Sequence, residues 1–245
     1  MRLREFLIGT ALMSLALTAG RVYPATILRA GFWPGDGDGP KKPAERETST
    51  GLPVLPSTLI RDDKVLGSAY YDTLSILDGT GPCSNFFGGP SALPVFNSFM
   101  GHVKKELTGS NIGIRMKGSY MNVVDAQTKQ ASRLFDTVLI NTNGPFYRSN
   151  NILLNERVRG IGSFQANSRE IRVLMLLHEL GHLMKDPEGK WLLPDDGKDE
   201  ELSRTNSRKI EETCGSEIKA VTRTEAPNLA RRKQSEQKLA LVDNH

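Results

Sequence analysis

Two histidines and a glutamate stand together in one short stretch, His178-Glu179-Leu180-Gly181-His182, which is the pattern HExxH. On a helix, a spacing of four residues puts both imidazoles on one face about one turn apart, where two nitrogens can bind one Zn²⁺. Glu179 can reach a water on that metal without being a ligand, take a proton from the water and later give it to a leaving amine. The pattern therefore predicts zinc-dependent hydrolysis, with His178 and His182 as ligands and Glu179 as the general base.

A tetrahedral zinc ion that also holds water needs a third protein ligand. The acidic candidates after the motif are Asp186, Glu188, Asp195, Asp196, Glu200 and Glu201. The first two come so soon after the helix that they would need a sharp reversal of the chain. Asp196 lies in the turn sequence Pro-Asp-Asp-Gly, which can bring the chain back over the metal. We predict Asp196 as the third ligand, with Asp195 and Glu201 as the alternatives.

Apolar residues surround the HExxH motif on nearly every side of the helix. They are Ile171, Val173, Leu174, Met175, Leu176 and Leu177 before it, and Leu180, Leu183 and Met184 within or after it. A helix that is apolar all round is buried. Burying two histidines and a glutamate without partners would cost several kcal/mol, and a bound metal removes that cost. The alternative interpretation is a pair of core histidines satisfied by backbone carbonyls.

Hydrophobic periodicity and turn signals predict the elements that must position the motif. We expect strands at 112–116, 120–124 and 137–140, and helices from 91–94 to about 107, at 168–184 and at 200–219. Residues 83–89 are expected to form a loop. A bound substrate strand would pair with an edge strand such as 137–140.

The stretch 178–182 resembles the active-site helix of zincin metallopeptidases, and residues 83–88, 140–141 and 177–214 are similar to a group of secreted bacterial metallopeptidases. The metzincin subgroup fits badly, because Glu188 occupies the position of its third ligand. Gluzincins use a glutamate on a later helix and aspzincins a downstream aspartate, which correspond to the alternatives named above. The resemblance implies a zinc-dependent peptidase and no particular substrate. We predict an α+β, zincin-like fold in which a small mixed sheet packs on a buried HExxH helix, over residues 66–220.

The regions outside this domain indicate export. In residues 1–20, two arginines precede an apolar run over 6–19, and small residues follow, which is typical of a secretory signal peptide. An uncleaved anchor is the alternative, although the run is short for a spanning helix. Residues 21–65 are predicted to be a Gly/Pro-rich linker or pro-segment, and residues 221–245 a basic polar tail. We expect a secreted or periplasmic protein without stable membrane association once the signal is removed.

Cys83 and Cys214 are the two cysteines of the chain. An even pair in an exported protein predicts a disulfide. Cys214 also falls on the apolar stripe of the predicted helix at 200–219, so we expect the bond to be buried.

The charge balance excludes several other classes of function. The chain carries 32 basic and 28 acidic residues, a net charge of +4. This excess is too small to indicate a nucleic-acid-binding surface. It also lacks a glycine-rich phosphate loop. We predict an exported zinc endopeptidase that acts on a peptide or protein substrate. The alternatives are a non-catalytic zinc-stabilised binding module and an exported protein with a vestigial zincin site.

Overall fold

The structure, a computed structural model, describes residues 25–32 by their backbone alone, together with residues 58–125 and 131–223. Its helices are α1 Thr58–Asp62, α2 Lys64–Leu77, α3 Pro82–Phe86, α4 Ala92–Gly101, α5 Arg169–Leu183 and α6 Glu200–Arg223, with a 3-10 turn at Gly89–Ser91. Its strands are β1 Ala25–Phe32, β2 Val103–Glu106, β3 Ile114–Asp125, β4 Ala131–Asn141, β5 Asn150–Asn151 and β6 Glu156–Arg157. This confirms the predicted α+β class. In the described part of the chain, no helix has the length and apolarity needed to cross a membrane.

Four strands form one mixed sheet in the order β1-β3-β4-β2. β3 is antiparallel to both β1 and β4, whereas β2 runs parallel to β4. Val138–Asn141 of β4 pairs with Val103–Glu106, so this part of β4 lies inside the sheet. The prediction of a substrate-binding edge at 137–140 is therefore wrong, because β2 already occupies that edge.

Two other predicted elements differ from the structure for non-local reasons. The helix expected to reach residue 107 ends at Gly101, since Val103 pairs with β4 instead of continuing the helix. The two strands expected at 112–116 and 120–124 are one strand, β3, interrupted by a register shift near Gly118. Gly118 has a φ of +88°, which a residue with a Cβ rarely adopts. The expected loop at 83–89 contains α3, which begins at a proline.

The first helix, α1, begins at Thr58, which lies upstream of the predicted domain boundary at residue 66. Asp63 caps α2, because its carboxylate accepts hydrogen bonds from the first N–H groups of that helix. β1 lies within the predicted linker or pro-segment and pairs with β3. The predicted signal peptide and most of the predicted tail lie outside the described residues.

α5 is the central element of the core and coincides with the predicted helix at 168–184. Ser168 caps it by accepting a hydrogen bond from the N–H of Ile171. α2, α4, α6 and β4 all contact it. Its fully buried side chains are Ile171, Val173, Leu174, Leu176, Leu177 and Leu180. The small mixed sheet touches the C-terminal end of α5, where Ser132 of β4 bridges to Met184.

The predicted disulfide between Cys83 and Cys214 is confirmed. Both cysteines are completely buried, and their Cα atoms are 4.6 Å apart. The bond joins α3 to α6, and α6 packs along α5. It therefore holds in place the helix that covers one side of the HExxH motif.

Replacing both cysteines by alanine should lower the free energy of unfolding. The bond spans a sequence separation of 131 residues. On the chain-entropy model, a loop of that length corresponds to about 5 kcal/mol. Guanidinium unfolding of the wild-type and doubly substituted chains measures the difference. Two free thiols in the denatured, non-reduced wild-type chain would contradict the assignment.

Candidate metal centre

Three side chains converge at the C-terminal half of α5. The Nε2 atoms of His178 and His182 are 3.0 Å apart. Asp196 Oδ2, from the loop after α5, lies 3.1 Å from the first of these nitrogens and 3.5 Å from the second. Ligand atoms about 2.0–2.1 Å from a tetrahedral zinc ion lie about 3.3–3.4 Å from one another. The three atoms therefore form a triangle close to the size that a zinc ion requires, and they could hold a metal ion.

The histidine rings are held so that their Nε2 atoms face the triangle. His178 Nδ1 lies 3.0 Å from Ser207 Oγ on α6. When Nδ1–H donates to that hydroxyl, the lone pair of Nε2 is left for a metal, which is the usual orientation of a metal-binding histidine. His182 Nδ1 is the buried side-chain polar atom for which the described residues supply no hydrogen-bond partner. The polar contacts of His182 therefore lie on the Nε2 side, toward His178 and Asp196.

The charge state of Asp196 suits a ligand. Burial raises the pKa of its carboxyl, but hydrogen bonds and charge interactions with His178 and His182 lower it by more. Its pKa therefore lies well below the usual range, and the carboxylate is ionised. When the Nε2 protons leave, two imidazole lone pairs and a carboxylate oxygen lie in one place, and a bound cation can replace those protons.

Glu179 lies between the two histidines in sequence, directly after His178. Burial raises the pKa of its carboxyl to about 7, while His178 lowers and Asp196 raises that value by smaller amounts. A carboxyl with a pKa near 7 can accept and release a proton at neutral pH. This is the property required of the predicted general base.

Asp196 reaches the histidines because the chain reverses tightly after α5. The N–H of Leu192 donates to the carbonyl of Met184 at 2.9 Å, and the N–H of Leu193 donates to the carbonyl of Gly181 at 3.0 Å. The buried side chain of Leu193 lies directly on Gly181, where an added Cβ would be 2.6 Å from two leucine carbons. The glycine inside the HExxH motif is therefore what lets the returning loop approach the helix.

Arg133 of β4 ties this returning loop to the sheet. Its Nε donates to the carbonyl of His182 at 2.7 Å, and its Nη1 donates to Asp195 Oδ2 at 3.1 Å. Its Nη2 also donates to the other oxygen of Asp195. The guanidinium lies over the ring of Trp191, with Cζ 4.0 Å from the ring centroid. Arg133 is only 3% exposed, so it is a buried charge neutralised by Asp195.

The structure separates the three candidates for the third ligand. Asp196 faces both histidines, whereas Asp195 is engaged by Arg133. The side chain of Glu201 is 75% exposed and lies near Arg204 on α6. Only Asp196 is placed where it could complete the metal site.

Several residues that support the site are not evident from the motif. Arg133 and Phe135 are two residues apart and lie on the same buried face of β4. A charge on that face needs a partner, so Arg133 could have been noticed from the sequence. Asn206 and Lys209 of α6 donate to backbone carbonyls of the returning loop, each at 2.9 Å. Ser207 has no distinguishing sequence signal, because its role depends on how α6 packs on α5.

Comparison with known proteins finds no matching family model, no matching curated protein and no matching solved structure. The zincin resemblance therefore depends on the residues of this chain alone, and zinc stays a prediction.

Substitution of Asp196 by alanine should weaken zinc binding by more than about 100-fold, since losing even an outer-shell partner costs about 10–100-fold. Competition with a chromophoric chelator measures the affinity. Glu201→Ala is the matched control and should bind zinc like the wild type. Asp195→Asn, which retains one acceptor for Arg133, should also keep most of the affinity. If Glu201→Ala or Asp195→Asn lost zinc while Asp196→Ala kept it, Asp196 would not be the ligand.

Gly181→Ala should destabilise the chain by about 1–3 kcal/mol through overpacking, and should weaken zinc binding by displacing the returning loop. Leu193→Ala in the same chain removes the clash. A double-mutant cycle on the free energy of unfolding should therefore show a favourable coupling between the two substitutions. Additive effects of Gly181→Ala and Leu193→Ala would show that this contact does not position the loop.

Proposed function

We propose that this chain is an exported zinc-dependent endopeptidase with a zincin-like fold. The observation that carries the proposal is the triangle of His178, His182 and Asp196 with Glu179 on the same helix. A buried helix bearing the motif, a small mixed sheet at its side and a third ligand from a later loop are together consistent with the zincin architecture.

The donor set favours zinc over other common metals. Two imidazole nitrogens and one carboxylate oxygen suit Zn²⁺, whereas Mg²⁺ and Ca²⁺ prefer oxygen ligands alone. In the described part of the chain, the group contains three potential ligands and no fourth Cys, His, Asp or Glu. Three protein ligands with an open fourth position are typical of catalytic zinc, which favours an enzyme over the non-catalytic binding module. The two cysteines that could serve a structural site are joined to each other.

Zinc bound by these residues would polarise the scissile carbonyl and lower the pKa of a water to about 7. Glu179 takes a proton from the attacking water, whose oxygen bonds to the carbonyl carbon. Glu179 then delivers the proton to the amide nitrogen as the C–N bond breaks, which releases an amine and a carboxylic acid that loses its proton to solvent. Ser207 holds the ring of His178, and Arg133 holds the backbone carbonyl of His182 at the end of α5.

The confirmed disulfide supports export, because such bonds persist in oxidising compartments. Export would place the site where secreted or cell-surface polypeptides are available as substrates. The proposed substrate is therefore a peptide or protein.

Glu179→Gln should retain about one zinc per chain and lose activity, with kcat/KM for peptide cleavage falling by about 10²–10⁴-fold. Glu170→Gln, the same substitution nine residues earlier on α5, is the matched control and should stay active. Metal content and cleavage of a random peptide library, with and without a chelator, are the measurements.

Zinc-loaded wild-type chain that cleaves no peptide would favour a vestigial site or a binding module. Equal cleavage by wild type and Glu179→Gln would reject Glu179 as the general base. Cleavage that survives removal of the metal would reject the zinc mechanism.

A further inference from the structure

Five aliphatic side chains project into solvent from two neighbouring loops. They are Leu107, Ile112, Ile152, Leu153 and Leu154, between 46% and 57% exposed. Among the described large hydrophobic residues, Tyr71 of α2 is the other one exposed to this degree. Isolated exposed leucines are common on protein surfaces, but a cluster indicates an interaction site.

Buried asparagines hold the two loops that carry these five side chains side by side. Asn143 Nδ2 donates to the carbonyl of Thr108 at 3.2 Å, and Asn151 Nδ2 donates to the carbonyl of Gly109 at 3.1 Å. Leu154 packs at the same place, with its Cδ2 3.8 Å from where a Cβ on Gly109 would lie. We call this surface the aliphatic tip.

Three backbone N–H groups of the aliphatic tip are satisfied from inside the protein. The N–H of Ile152 donates to Asn143 Oδ1 at 2.8 Å, and the N–H groups of Leu153 and Leu154 donate to Asn151 Oδ1 at 3.0 and 3.1 Å. In water, exposed N–H groups need no protein partner. In a lipid phase no water is present, and an unpaired N–H is costly. Three consecutive N–H groups at the tip already meet that requirement.

Positively charged residues flank residues 152–154 of the aliphatic tip in the sequence. The segment 148–159 contains Arg148, Arg157 and Arg159 against one acidic residue, Glu156. All three arginines are exposed, and in the described part of the chain none forms an ion pair with a carboxylate. Arginines flanking an exposed aliphatic segment can bind lipid phosphates while the apolar side chains enter the acyl boundary.

We infer that the aliphatic tip docks this chain on an anionic lipid bilayer, with Ile152, Leu153 and Leu154 inserted below the headgroups. Protein interfaces rely on aromatic anchors and on shape complementarity over a large area. The tip has five aliphatic side chains and no aromatic one, and a bilayer accepts such a surface without a matching shape. The proposed binding is peripheral and reversible, and the expectation of no stable membrane association stays a prediction.

The test places an environment-sensitive fluorophore on the full chain at Leu153→Cys. Vesicles of phosphatidylglycerol should raise and blue-shift its emission, whereas vesicles of phosphatidylcholine should do so weakly. The fluorophore reports the surroundings of residue 153 itself, so binding through the apolar residues 6–19 gives no such signal. The same label at Tyr71→Cys is the control and should stay unchanged.

Replacing Arg148, Arg157 and Arg159 by glutamine should lower the partition coefficient of the labelled chain by up to about fivefold for each charge removed. Ile152→Ser with Leu154→Ser should reduce it further, and unchanged thermal unfolding would show that these exposed substitutions leave the fold intact. A response at both labelled positions, or at neither, would overturn the inference. A response at residue 153 that follows protein concentration without vesicles would also overturn it, in favour of a protein–protein contact.

Discussion

The contact between Leu193 and Gly181 determines the path of the chain after α5, and the candidate metal centre depends on that path. Leu193 is completely buried against the helix backbone, which only a residue without a Cβ allows. This packing carries Asp196 back to two imidazoles that the helix alone has placed side by side. Because a buried side chain anchors the loop, core packing sets the position of the third candidate ligand.

Buried polar side chains also position the loops, because they form hydrogen bonds with loop backbone groups. Arg133 binds the carbonyl of His182 and the carboxylate of Asp195, and so joins the sheet, the end of α5 and the returning loop. Asn143 and Asn151 bind backbone groups of the two loops that form the aliphatic tip, and so hold those loops together. In each case a buried polar group is satisfied by the loop it holds, which makes the loop geometry part of the stability of the core.

The elements predicted correctly are those whose signals are local. α5 has a capping serine and an apolar pattern along its whole length, so its bounds follow from nearby residues. The end of α4 was missed because Val103 suits a helix by its spacing from earlier apolar residues. It joins the sheet only because Val138 is available as a partner on β4. The same pairing removed the expected edge at 137–140.

The sequence alone determined the histidine pair, the neighbouring glutamate and the two cysteines that bond. Helical periodicity brings the first three together, and the cysteine count leaves one intramolecular pairing. The turn sequence favoured Asp196 over the adjacent and chemically identical Asp195, but it did not establish that choice. That choice depends on Arg133, 62 residues earlier in the chain, which binds Asp195 and leaves Asp196 facing the histidines. Only tertiary structure brings those groups together, because no local periodicity relates a strand residue to a loop so distant in sequence.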